Sequence, residues 1–191
     1  MRRRDRRGEG DSVKTRDFEQ VVMPHLDAAY NLAYWITRSR ADAQDVVQDA
    51  CLRAIKYFDT FAGENPAAWL LTIVRRTCYT WLKRNRRPEE ALALDDETAT
   101  DVEDPALLMG GHGLARDPET LMIEARESKQ LHRLIAVLPV PYREIIVLRE
   151  LEELSYRDIA DVVGIPIGTV MSRLARARAL LTELWRREER E

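Results

Sequence analysis

Apolar residues recur every three or four positions over two long stretches of this chain. In neither do β-branched residues alternate as a half-buried strand requires. Both stretches therefore read as helix. Phe18, Val21, Val22, Leu26, Ala29, Ala33 and Ile36 form one stripe, and Val46, Val47, Ala50, Cys51, Ala54, Ile55 and Phe58 form a second. Asn65-Pro66 reads as an N-cap with proline at the first helical position. The helix it opens carries Trp69, Leu70, Ile73, Val74, Thr77 and Trp81 and is expected to end near Asn85.

The periodicity lapses over residues 88–118. This segment holds nine acidic residues, one arginine, three of the eight prolines and the cluster Gly110-Gly111-His112-Gly113. It reads as a flexible acidic linker. No strand precedes the glycines and no Gly-Lys-Ser/Thr follows, so they do not form a phosphate cradle, and His112 alone is no metal site. The expected architecture is all-α, with two small helical domains. Residues 1–16 are a disordered basic tail, 17–87 the first domain, 88–118 the linker and 119–191 the second domain. The net charge of -3 conceals this division. Residues 88–120 carry one basic and ten acidic side chains, whereas 18–87 carry ten basic and seven acidic, leaving room for a nucleic-acid-binding face.

Cys51 and Cys78 form no CxxC pair and no metal-ligand spacing with the three histidines. They read as buried free thiols in a reducing compartment. The Arg-rich start is followed by no apolar run, so it is not read as a signal peptide. No segment has the 18 or more apolar residues of a membrane span. The expected location is the cytoplasm, with no direct insertion into a membrane.

Helical signals resume at Asp117-Pro118 and continue to about Leu138, where Pro139 and Pro141 interrupt them. A further helix is expected from Pro141 to about Glu152, burying Ile145, Ile146 and Leu148. Ser155-Tyr156-Arg157-Asp158 is then a capping box. It opens a short helix with Ile159, Ala160 and Val163 inward, ended by Gly164. Ile165 to Gly168 reads as a turn. The next helix, expected to start near Thr169, carries Val170, Leu174, Ala177, Leu180, Leu181 and Leu184 on one face and Thr169, Ser172, Arg173, Arg176 and Arg178 on the other. This is a helix-turn-helix, whose second helix offers N-terminal residues to base edges and arginines to guanines or phosphates. An arginine-rich face alone could be merely solvated. The capped short helix, the glycine and the proline together favour DNA.

The segment 66–87 holds Arg75, Arg76, Lys83, Arg84, Arg86 and Arg87 and no acidic residue, together with Trp69, Tyr79 and Trp81. Twenty helical residues span about 30 Å, enough to follow several phosphates. Basic groups interleaved with aromatics suit single-stranded or opened DNA. Trp69 reads as core. For Tyr79 and Trp81 a core position and a base-stacking position both remain open.

These segments resemble a known family. ADAQDVVQDACLRAIKYF, residues 41–58, is similar to the polymerase-binding helix of bacterial sigma factors. Trp69-Leu70, Ile73-Val74-Arg75 and the basic end resemble their promoter-melting helix. Leu138-Pro139 to Arg149-Glu150, followed by LSYRDIADVVGIPIGTVMSRLARAR, resembles their C-terminal domain. With two domains and a short linker, the chain is most similar to the extracytoplasmic-function group. The resemblance implies binding to core RNA polymerase, promoter DNA as second partner, and sequestration by an anti-sigma factor. It implies no cofactor, no small-molecule substrate and no enzymatic activity. Asp45, Gln48 and Asp49 would meet the polymerase, although a solvated face with an Asp49–Arg53 pair is the plainer reading. Phe61, Asn65, Arg76, Tyr79, Thr80, Lys83 and Arg84 would meet the -10 element. Thr169, Ser172, Arg173 and Arg176 would meet the -35 element. Arg76 and Thr80 stand where the family often has Asn and Asp, and Met171 where it often has a basic residue. The promoter sequence therefore does not carry over.

The two elements lie about 25 base pairs apart, roughly 85 Å. A 31-residue linker reaches about 100–110 Å when extended but spans only about 30 Å as a relaxed coil. A compact free protein, stretched on the polymerase, is expected. The acids Asp95, Asp96, Glu97, Asp101, Glu103 and Asp104 either imitate RNA in a basic channel or form a solvated spacer. Two rivals remain. A regulator acting without polymerase would explain the helix-turn-helix but not the acidic and basic helices before it. A helical enzyme finds no nucleophile–base pair and no ligand cluster in its support.

Overall fold

The computed structural model describes residues 18–61, 65–85 and 118–190. The Arg-rich start, the acidic linker with its six named acids, the glycine cluster, Arg86 and Arg87 lie outside the described residues. Every regular element among the described residues is helical. The longer ones are α1 (Leu26–Thr37), α2 (Arg40–Tyr57), α3 (Pro66–Asn85), α4 (Pro118–Val137), α5 (Val140–Ile146), α6 (Tyr156–Val163) and α7 (Ile167–Glu188).

The first apolar stripe is not one helix. Residues 18–22 are helical, then Met23–His25 tighten into a 3-10 turn containing Pro24 before α1 begins. Proline has no N–H to donate and fixes its own φ, so the turn re-aims the chain. α1 ends at Arg38 in the left-handed conformation, φ 61°. Ser39 then caps α2, its hydroxyl accepting from the Asp42 N–H at 3.3 Å. Asn65 caps α3 as expected, its Oδ1 accepting from the Ala68 N–H at 3.0 Å.

α1, α2 and α3 pack together through Ala29, Leu32, Ala33, Ile36, Ala43, Val46, Ala50, Ala54, Leu70, Leu71 and Val74. Ile55, expected in the α2 stripe, is instead 57% exposed. Four alanine and valine positions already fill the inward side of α2. Cys78 is buried and Cys51 half-buried, both as free thiols.

In the second domain α5 starts one residue before the expected Pro141 and gives way to a π-helical turn over Val147–Leu151. The Glu152 N–H reaches back five residues to the Val147 carbonyl at 3.0 Å. The wider turn puts Val147 and Leu148 in the core together. The capping box forms: Ser155 Oγ accepts from the Asp158 N–H at 3.1 Å and donates to Asp158 Oδ2 at 2.6 Å. Gly164 ends α6 at φ 73°, the left-handed region that favours glycine. α7 begins at Ile167, two residues before the expected start, because Pro166 supplies the cap position and its carbonyl accepts from Thr169 and Val170.

The two domains close on one another, α3 against α6 and α1 against α5, around a continuous core. Among the described residues no helix is long and apolar enough to cross a membrane.

Candidate nucleic-acid interface

The basic helix α3 sorts its candidate residues by direction. Arg76, Lys83 and Arg84 are exposed and Thr80 is partly so. Their spacing, four then three then one, places them on one stripe of the helix. The Thr80 hydroxyl donates back to the Arg76 carbonyl at 2.9 Å, as a helical threonine with no better acceptor does. The opposite side buries Leu70, Leu71, Val74, Thr77, Cys78 and Leu82. Trp69 and Trp81 are partly buried against the core. Phe61 packs its ring on Trp69 at 5.3 Å and on Phe58 at 6.1 Å, holding the entry to α3 as an aromatic cluster.

Two of the seven downstream candidates point elsewhere. Tyr79 donates its hydroxyl proton to Glu144 Oε2 at 3.1 Å, and Asn65 donates through Nδ2 to Asp158 Oδ1 at 2.7 Å. Both acceptors belong to the second domain. In this closed arrangement, then, Tyr79 and Asn65 face the helix-turn-helix domain and not an open surface. Glu144 is fully buried and also takes a bidentate grip from Arg75, Nε to Oε2 at 2.8 Å and Nη2 to Oε1 at 3.0 Å. The Arg75 guanidinium lies over the Tyr79 ring, 4.4 Å from its centroid. Burial works against the Arg75 charge, but the Glu144 carboxylate outweighs it and the pKa sits above its ordinary value. Burial, and then the Glu144 charge, push the Tyr79 phenol up to about 12, so it keeps the proton it donates.

Neighbouring contacts strengthen the seam. Buried Arg143 donates to the Trp35 carbonyl at 2.8 Å and to the Leu138 carbonyl at 2.6 Å. Asn31 donates to Glu152 at 3.0 Å. Local sequence gives no sign of these partners. Glu144 is the only acidic residue of α5, but nothing in its spacing marks it as the acceptor for Arg75, which lies 69 residues earlier.

On α2, Asp45, Gln48 and Asp49 are all exposed. Asp49 pairs with Arg53 at 3.4 Å, but both side chains are about half exposed, so the pair holds little energy and is easily exchanged. Leu52, 66% exposed, and Ile55 continue the same side of the helix. The face is therefore a carboxylate–glutamine patch running into exposed apolar side chains. The sequence reading missed this second half because it assigned Ile55 to the core.

On α7, Val170, Leu174 and Ala177 are buried, and Leu180, Leu181 and Leu184 pack partly against the core. Ser172 and Arg176 are exposed, while Thr169 and Arg173 are half-buried at the flank. Arg178 pairs with Glu150 at 2.6 Å, both side chains about half exposed. The outward centre of the helix is lined by Gly168, Ser172, Ala175 and Ala179, all small. Among the described residues no group of three metal-ligating side chains converges.

Comparison with known proteins agrees across both domains. Residues 21–88 match the family model described as sigma-70 region 2, and residues 128–181 match that of sigma-70, region 4. The chain is 35% identical over 167 residues to the RNA polymerase sigma-H factor of Pseudomonas aeruginosa, covering 85% of this chain and 83% of that protein. It is also 35% identical over 147 residues to the ECF RNA polymerase sigma-E factor of Haemophilus influenzae, covering 75% and 74%. Among solved structures it is similar to the sigma factor RpoE of Bartonella quintana in complex with the anti-sigma factor NepR. That likeness has a TM-score of 0.65 and 28% identity over 89% of this chain and 97% of that one. CnrH in complex with the cytosolic domain of CnrY follows, with a TM-score of 0.57 and 25% identity over 90% and 88%.

Proposed function

Because this chain belongs to the extracytoplasmic-function (ECF) group of RNA polymerase sigma factors, we propose that it binds core RNA polymerase, directs it to specific promoters and promotes DNA opening. The observation that carries this reading is one chain bearing both an exposed basic stripe on α3 and a capped helix-turn-helix. Residues 17–87 serve polymerase binding and the -10 element, and residues 119–191 serve the -35 element. Asp45, Gln48 and Asp49 offer carboxylates and an amide to a basic polymerase surface, and Leu52 and Ile55 add apolar area beside them. Arg76, Thr80, Lys83 and Arg84 take the -10 backbone. Phe61 adds an aromatic ring at the entry to α3, and Asn65 and Tyr79 join once the domains separate. Thr169, Ser172, Arg173 and Arg176 take the -35 element.

The protein acts as an initiation factor in the cytoplasm and not as an enzyme. An anti-sigma factor regulates it, a reading supported by the structural neighbour RpoE, solved with the anti-sigma factor NepR. The test is run-off transcription with core polymerase on genomic fragments. Promoter-specific transcripts that depend on this chain are expected. No such transcript and no binding to core polymerase would leave a DNA-binding regulator as the better reading.

A further inference from the structure

The N-terminal turn of α7 presents two apolar side chains to solvent. Ile167 is 45% exposed and Met171 is 53% exposed. They lie one helical turn apart, so they share a side of the helix. The same helix buries Val170, Leu174 and Ala177, so Ile167 and Met171 are not needed to fill its core. Gly168, Ser172, Ala175 and Ala179 lie beside them at the outward centre. Nothing stands within 4 Å of where a Cβ on Gly168 would sit. Small residues there let the helix backbone approach a groove floor. The longer side chains at the edges then reach furthest: Met171 and Ile167 on one side, Arg176 on the other.

From this geometry we propose that Met171, backed by Ile167, reads the C5 methyl group of a thymine in the upstream promoter element. The inference rests on the reading of α7 as the -35 recognition helix. A thioether side chain has no N–H or O–H to give a phosphate or a purine edge. Thymine carries the one apolar group that bases display in the major groove. Recognition helices meet base edges with the residues of their N-terminal turns, where these two side chains sit. Methionine is unbranched and flexible, so it adjusts to a methyl group without the fixed geometry that arginine demands of guanine. The consequence is a promoter preference read partly by apolar contact on one edge of α7 and by Arg176 on the other.

The experiment uses holoenzyme formed from the full chain and core polymerase. Promoters are first selected from a library randomised across the upstream element. Each thymine of the selected element is then replaced by deoxyuridine, which removes the methyl group and nothing else. At one or two positions the wild type is expected to bind about fourfold more weakly, the worth of one buried carbon. In M171A that penalty vanishes, and in M171L a part of it remains. A selected element with no thymine, or a methyl penalty that is absent or persists unchanged in M171A and I167A, overturns the proposal. R176A separates this failure from a broader one. If R176A abolishes upstream selectivity while deoxyuridine has no effect, only the methyl contact falls. If neither R176A nor M171A alters promoter choice, α7 is not the reading helix.

Discussion

His132 lies buried against the Trp35 indole, the ring centroids 5.2 Å apart, and its Nδ1 finds no hydrogen-bond partner among the described residues. Burial lowers its pKa from the ordinary 6.5, so the folded chain resists the proton that an unfolded chain accepts. The sign follows directly. The neutral ring's contribution is complete above about pH 6.5 and declines as pH falls from there toward the lower folded pKa. H132F keeps an aromatic ring against Trp35 and removes the titration. Melting temperatures followed by circular dichroism between about pH 7.5 and 5.5 should show the wild type losing stability relative to H132F as acidity rises. Parallel curves would show that burial at this residue carries no proton linkage. Residue types gave His132 no such role in advance. A histidine in an amphipathic helix shows its burial only when the facing helix is in place.

At the scale of elements, local chemistry was highly legible. The Asn65, Ser155 and Gly164 punctuation each formed as read, because a cap or a left-handed glycine answers to groups within four residues. Two elements departed for reasons that are also local. Pro24 broke the first stripe, and Pro166 started α7 early. The stripe on α3 carries a sharper expectation. Arg76, Lys83 and Arg84 each neutralise phosphate in the proposed complex. Replacing any one by alanine should weaken holoenzyme binding across promoter sequences and lower the salt slope of log K by about one. Binding measured by fluorescence anisotropy over a range of salt checks this. A slope unchanged in all three variants would place the DNA on another face. The face of α2 was only half legible, since a stripe that mixes alanine with larger apolar residues does not say which of them the neighbouring helix covers.

Across the whole molecule, the closed arrangement sets a condition on function. In the proposed complex, two domains that share one core would not reach promoter elements about 85 Å apart. That reading requires the seam to open, and its chemistry suits opening. A buried ion pair loses hydration on closing and regains it on separation, so it fixes how the domains meet more than how tightly. Removing one partner is different: it leaves the other uncompensated, at a cost of up to about 3–5 kcal/mol for a fully buried pair. Here the cost is smaller, because the Arg75 side chain keeps 18% exposure. E144A should therefore shift the free chain toward separated domains. Small-angle scattering should show a larger radius of gyration, and labels on α2 and α7 a longer distance, with helix content retained. An unchanged radius would mean that the apolar contacts alone hold the domains shut.

The sequence by itself determined the all-helical class, the caps at Asn65, Ser155 and Gly164, the helix-turn-helix and the division into two all-α domains. Each of these depends on periodicity and on hydrogen bonds between near neighbours. The structure decided which candidate side chains stand in the open. Arg76, Lys83 and Arg84 are exposed, whereas Tyr79 and Asn65 are taken up by Glu144 and Asp158, 65 and 93 residues away along the chain. A helix's amphipathic pattern states that a face will be covered but not by what. The partner is chosen only when distant segments pack, and that choice separates a tyrosine that meets DNA from one that first holds a domain closed.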